Sequence, residues 1–328
     1  MKTKKPYQLH LSLITALALA GPASAATLTY NGTDGNWDTD ANWTGGPEPV
    51  SGDLARVLSG ETVTVDQAGE IAGQLQVSNS GSTVNVDAGD LTLDTGALSA
   101  SLNIGSNGTL NVNGGSVTVL GVVNNFLNGG GQINVSSGSL THTATNLRFG
   151  DGASTGTIDV SGTGTWSSGN LNIIGTGNIN LTGSSATISG VNSINNNLGG
   201  NLTFNLTPDS GLINAIAASS INLTNTDTLN VYTANLNYGD QMFDIFDYSG
   251  SLTSTFDTIN IFNPTFGNLT LGSDPLGDAS NLNPGEYWID YGSGSNDSIT
   301  LLYAIPEPSS TALLGLGLSS LLLRRKRS

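Results

Sequence analysis

The sequence predicts an all-β chain folded as a parallel β-helix, or β-solenoid, and two observations predict it. The first is an internal repeat. "STVNVDAGDLTL" (82–93), "GTLNVNGGSVTV" (108–119), "GQINVSSGSLTH" (131–142), "GTIDVSGTGTWS" (156–167) and "GNINLTGSSATI" (177–188) align, and their four-residue cores start at 83, 109, 132, 157 and 178. The second is alternation inside each core. Val84 and Val86, Leu110 and Val112, Ile133 and Val135, Ile158 and Val160, and Ile179 and Leu181 share one face, while Asn85, Asn111, Asn134, Asp159 and Asn180 share the other. A hairpin meander alternates too, but its turns recur every 8–12 residues. Here identity recurs every ~21–26 residues with three strands per period, which fits coils stacked at ~4.8 Å. One coil buries too little apolar surface to offset the entropy of ordering it, so many coils and two caps are required.

Composition bounds the rest. The chain has 328 residues and no cysteine, so disulfides and thiolate chemistry are excluded. Net charge is −16, distributed unevenly: between Ala26 and Ile305 the cations are Arg56 and Arg148 alone, against 24 Asp and Glu. A body at −22 repels phosphate backbones, and nucleic acid is not an expected partner.

Residues 1–25 read as a signal peptide. Lys2, Lys4 and Lys5 form a positive start, "LSLITALALA" (11–20) an apolar run, and Ala23 and Ala25 a small-x-small cleavage site. The mature chain is expected to begin near Ala26, outside the cytoplasm. Residues 26–75 are read as an N-terminal cap and first coils. Trp37 and Trp43, Gly45-Gly46 and Gly52-Asp53-x-Ala55 resemble the opening of secreted β-helix proteins of environmental bacteria. The resemblance implies that both tryptophans cover the first coil. Asp34, Asn36, Asp38 and Asp40 alternate like the first half of a calcium loop, but Thr39 and Gly45 stand where the turn glycine and the bidentate glutamate belong. These side chains read first as turn caps beside Trp37 and Trp43, with a calcium site as the alternative, and no cofactor is expected.

Residues 76–200 are the repetitive solenoid. A second strand begins about seven residues after each core, at Leu91, Val117, Leu140 and Ala186, with Trp166 one place late; third strands lie at 101–105, 146–150 and 170–174. His142, the body's one histidine, occupies a repeat strand where other coils carry Leu93 and Val119, which reads as structural and not catalytic. No close carboxylate cluster is evident. Residues 201–304 hold 13 of the 20 aromatic residues and form an aromatic-rich C-terminal β region; the boundary at "NNNLGGN" reads as a change of coil type. Within it only "GLINAIAA" (211–218) suits a short helix. The segments 238–261 and 285–303 resemble the last coils and cap of autotransporter-like β-solenoids.

Residues 305–328 end the chain. Pro306 and Pro308 hold Glu307 extended, 308–323 carry no charge, and Arg324, Arg325, Lys326 and Arg327 form a basic stop. As a single C-terminal hydrophobic helix the run spans ~24 Å, short of a ~30 Å bilayer core, with the basic residues snorkelling to close the gap. "PEPSSTALLGLGLSSLLLRRKR" resembles the PEP-CTERM sorting signal: Pro-Glu-Pro, a Gly-containing apolar helix and an Arg-rich end, in order. The resemblance implies an exosortase as partner, membrane tethering in transit, and a cell surface or biofilm matrix as destination. The expected function is that of an exported, non-enzymatic structural or adhesive protein, with extracellular polysaccharide as a possible partner. The alternative is a β-helix polysaccharide lyase or glycoside hydrolase.

Overall fold

The structure, a computed structural model, describes residues 25–305 apart from 33–34, 80, 95–99, 106, 121–124, 151–154, 197–199, 209–214, 225, 234–238, 265–266 and 293–296. It is a β-solenoid. Val63, Val84, Leu110, Ile133, Ile158, Ile179, Phe204, Leu229 and Ile259 are successive partners in parallel strands, each directly above the last. The predicted stack of Leu110, Ile133, Ile158 and Ile179 is its centre. These four are at most 1% exposed. Successive coils differ in length because corners, not strands, absorb the extra residues.

Three strands per coil make three faces. The first face is the ladder just described, which runs through residue 200 without a break and ends at Asn263. On the second, Leu91, Val117 and Leu140 are partners, and Trp166 follows Leu140 in register. On the third, Val57, Val77, Ile104, Leu127, Phe149 and Ile173 stack in the core. Corner glycines permit this spacing. A Cβ on Gly115 would lie 2.2 Å from the Gly89 carbonyl oxygen, and one on Gly138 would lie 2.2 Å from that of Gly115.

Outward from the first face, side-chain amides form a ladder. Asn111 donates to Asn85 at 2.8 Å, Asn134 to Asn111 at 2.8 Å, Asn205 to Asn180 at 2.7 Å, Asn230 to Asn205 at 2.8 Å and Asn260 to Asn230 at 2.9 Å. Asn111, Asn180, Asn205 and Asn230 each donate to the preceding coil and accept from the next, so one residue type repeated at one position satisfies both halves of its amide. Asp159 accepts from Asn180, and a carboxylate has no proton to pass back to Asn134.

Two expectations are corrected here. The equivalent of Trp166 in the next coil is Ile188, not Ala186. The turns after Val160 and Leu181 are longer than those of earlier coils, and the strands regain register beyond them. Ile216–Asn222 is a strand, paired with Val191–Asn195, so 216–218 are not the helix expected over 211–218, of which 211–214 lie outside the described residues. Inter-coil hydrogen bonds outweigh the local preference of its alanines.

Both ends are closed. At the first end Tyr30, Trp37 and Trp43 are at most 4% exposed. Trp43 Nε1 donates to the Trp37 carbonyl at 2.7 Å, and the Trp37 and Trp43 rings meet edge-on at 5.0 Å. The edge of the first-face ladder is covered there, with the Trp37 amide bonded to the Thr64 carbonyl at 3.0 Å. At the other end Gly267–Asn268 pairs antiparallel with Thr258–Asn263. Beyond it the parallel rule gives way to an antiparallel cap: Asp297–Ile305 lies between Gly239–Tyr248 and Glu286–Asp290. Phe204, Phe246 and Phe256 pack together beneath it.

Candidate functional site

Four places on this body carry chemistry. The third face is the first. Its outward row runs Arg56, Gln76, Asn103, Phe126, Arg148 and Asn172 in unbroken register. Both arginines of the body thus stand in one row, four rungs apart, or about 19 Å at the usual strand spacing. Arg56 Nε donates to Gln76 at 3.1 Å, and the Arg148 guanidinium lies 5.9 Å from the centre of the Phe126 ring. Among the described residues neither arginine meets a carboxylate. This row was not visible in the sequence, because Arg56 and Arg148 are 92 positions apart and meet only through the register of five coils.

A cavity of about 530 Å³ is the second, lined by Val191, Ala217, Ala218, Tyr248, Asp247 and Asp297 among others. It lies where the last parallel coils meet the antiparallel cap. Partial burial, with Asp244 nearby, pushes the Asp247 carboxyl above its ordinary value. Tyr248 donates to the Tyr291 carbonyl at 2.9 Å, which ties the cavity wall to the cap.

The third is the acidic corner that holds the proposed calcium loop. Asp34 lies outside the described residues. Asn36 forms a bridge with Thr64, and its carbonyl accepts from the Asn42 side chain at 2.9 Å. Asp40 accepts from the Glu48 amide at 2.9 Å, so one of its oxygens serves the cap's own turn. Burial, then Asp40 and Asp38, raises Glu48; burial, then Glu48, Asp38 and Asp66, pushes Glu70 up to about 6. The spacing of 34–40 gave no sign of Glu48 or Glu70, which the fold folds back over it. Among the described residues no three His, Cys, Asp or Glu side chains gather as a metal site.

His142 is the fourth. It is 3% exposed and stacks in register between Val119 and Ser168. Neither ring nitrogen has a hydrogen-bond partner among the described residues, and burial pushes its pKa down to about 4. A sealed, neutral imidazole has no route to a substrate.

The chain leaves the body at the cap. Asp297–Ile305 is paired along its length, Ala304 and Ile305 are 2% and 3% exposed, and the Gly285 amide donates to the Ala304 carbonyl at 2.7 Å. Pro306 follows immediately. Residues 304–327 match the PEP-CTERM protein-sorting motif. The match begins on the last two residues of the cap strand. It spans Pro306, Glu307, Pro308, Arg324, Arg325, Lys326 and Arg327, all of which lie outside the described residues with the helix expected over 308–323. The motif implies an exported chain, anchored in the membrane in transit and processed by an exosortase. No curated protein and no solved structure matches the chain. No helix among the described residues is long and apolar enough to cross a membrane. At the other terminus Ala23 lies outside the described residues, and Ala25 is exposed just before the first strand, Thr27–Tyr30.

Proposed function

We propose that this is a non-enzymatic structural or adhesive protein of the cell surface or polysaccharide matrix, and that its third face is the adhesive one. The observation that carries the reading is the junction at Ile305: a sorting motif is joined, with no intervening linker, to a rigid stack of polar ladders. The third-face row supports an acidic polysaccharide as partner. Arginine offers planar donors to carboxylates. Phe126 offers a flat apolar surface to the C–H face of a sugar, and Gln76, Asn103 and Asn172 offer amides to hydroxyls. The outward positions beside that row carry no carboxylate from Thr27 to Asn222 among the described residues, so an anion meets less repulsion there than elsewhere on a body at −22.

Two arms test this. In a host that carries an exosortase, deletion of Pro306 to Pro308 is expected to abolish processing and leave full-length chain in the inner membrane; unchanged processing overturns the sorting half. For adhesion, the full chain is titrated with polygalacturonate and with neutral dextran. Replacing both arginines, R56Q/R148Q, is expected to weaken polygalacturonate binding about tenfold, with dextran unaffected. Equal binding by the variant removes the third face from the account. A polysaccharide hydrolase is the second reading, favoured by the raised carboxyl of Asp247 in its cavity. New reducing ends made by the wild type and lost in Asp247→Asn would install it.

A further inference from the structure

Asp53 is a buried carboxylate with no cation beside it. It is 8% exposed, and among the described residues no arginine, lysine or histidine reaches it. Its two oxygens accept from backbone amides instead: Oδ1 from Ala26 at 2.8 Å and Oδ2 from Val50 at 3.2 Å. Its own amide donates to the Val50 carbonyl at 3.0 Å, and its carbonyl accepts from Gln74 at 2.8 Å, so the carboxylate is fixed from both sides. A carboxylate taken out of water needs a positive partner or several donors, and two neutral amides are a thin set. The donor on Oδ1 is the nitrogen of the residue that follows the Ala23-Ser24-Ala25 cleavage signature.

We propose that Asp53 is the built receptor for the mature N-terminus, the α-ammonium of Ala26. The inference rests on the export reading above. Hydrolysis of the Ala25–Ala26 bond adds water's oxygen to the Ala25 carbonyl carbon, which leaves as a carboxylate. The peptide nitrogen keeps its electron pair, takes up protons and becomes an ammonium on Ala26. That nitrogen already lies at hydrogen-bond distance from Oδ1. Processing therefore converts a neutral amide contact into a charge-assisted one without moving the chain. The consequence is directional. The N-terminal coil of the precursor meets this carboxyl group with neutral amides, and removal of residues 1–25 adds a cation to one of them. The Ala26 carbonyl, which accepts from the Leu54 amide at 2.8 Å, holds the residue in the parallel pairing with Leu54–Val57. Cleavage one or two residues away would place the ammonium off the carboxylate.

The body offers a clean assay, because residues 26–305 contain no lysine. After processing, the α-amine of Ala26 is the one primary amine of that region. The exported full-length protein is first analysed by intact mass and N-terminal sequencing, with a start at Ala26 expected. The same protein is then treated with an amine-acylating reagent at neutral pH, and labelling of the N-terminal peptide is followed by mass spectrometry. Slow labelling is expected in the wild type and labelling at least about tenfold faster in Asp53→Asn, whose amide cannot hold an ammonium by charge. Asp53→Glu, which keeps the charge, is expected to label at an intermediate rate, which separates loss of the pair from loss of the fold. A start other than Ala26 overturns the maturation reading and this inference together. A start at Ala26 with equal labelling of wild type and Asp53→Asn overturns the inference alone.

Discussion

Ile158→Asp is expected to unfold the central coils. Ile158 is fully buried between Ile133 and Ile179, its partners in the coils before and after. Truncation to alanine at such a site costs about 2–5 kcal/mol through lost transfer energy and an unfilled cavity. A carboxylate adds the desolvation of a charge with no cation among the described core residues, against a total stability of roughly 5–15 kcal/mol for a typical domain. In a solenoid each coil is stabilised by its neighbours, so the lesion severs the pile into two shorter ones instead of denting it locally. Circular-dichroism melting and limited proteolysis check this. The variant is expected to lose its single cooperative transition and to be cut near the corner at 162–164. The matched control is Asp159→Ala, one residue along and on the outer surface, expected to change stability by about 1 kcal/mol or less. Similar melting of the two variants would mean that the coils do not share a continuous core.

Replacement of His142 by valine is expected to flatten the acid limb of the stability curve. In the unfolded chain the imidazole titrates near 6.5, and in the core near 4. The folded state therefore holds its proton less tightly. The contribution is fully present above pH 6.5, falls as the pH drops, and is gone below pH 4. The gap of about 2.5 pH units corresponds to about 3 kcal/mol, most of it applicable because the ring is sealed from solvent. Glu70 acts with the opposite sign: its raised pKa of about 6 makes the folded state the better proton binder, so stability is gained as pH falls from about 6 towards 4.5. Only the difference between wild type and His142→Val isolates the histidine. Valine occupies the same register in the preceding coil, at Val119, and also removes two nitrogens that have no partner among the described residues. Denaturant titrations at pH 7, 5.5 and 4 are expected to show the variant ahead at every pH, with the gap widening on acidification. Parallel curves would mean that His142 is hydrated.

How much of this was legible depended on what repeats. Leu110, Ile133, Ile158 and Ile179 could be placed above one another because a strand position recurs with its chemistry intact. The amide ladder was half legible: the outward asparagines could be read from alternation, whereas their donor-to-acceptor chain needs the inter-coil spacing. Ile188 was missed because corner length carries no periodicity, so counting seven residues from Ile179 arrives in a turn. The strand at Ile216–Asn222 was missed because its neighbours, not its own residues, decide it. The charge-bearing sites are all products of long-range register. Arg56 and Arg148, Ala26 and Asp53, and Asp38 with Glu70 have no local signature linking them.

The pairing of equivalent strands has a mechanical consequence. Hydrogen bonds between coils point along the pile, so a pull between the N-terminal cap and the tether at Ile305 loads every rung in series. Such an object yields by peeling open from its weakest layer, one loop of some two dozen residues at a time, and lengthens greatly before it parts. The antiparallel cap around Asp297–Ile305 is loaded first, since the tether leaves from it. Its hydrogen bonds to Gly239–Tyr248 point along the pile as well, so Asp297–Ile305 peels from its Ile305 end, at the point where the strain enters.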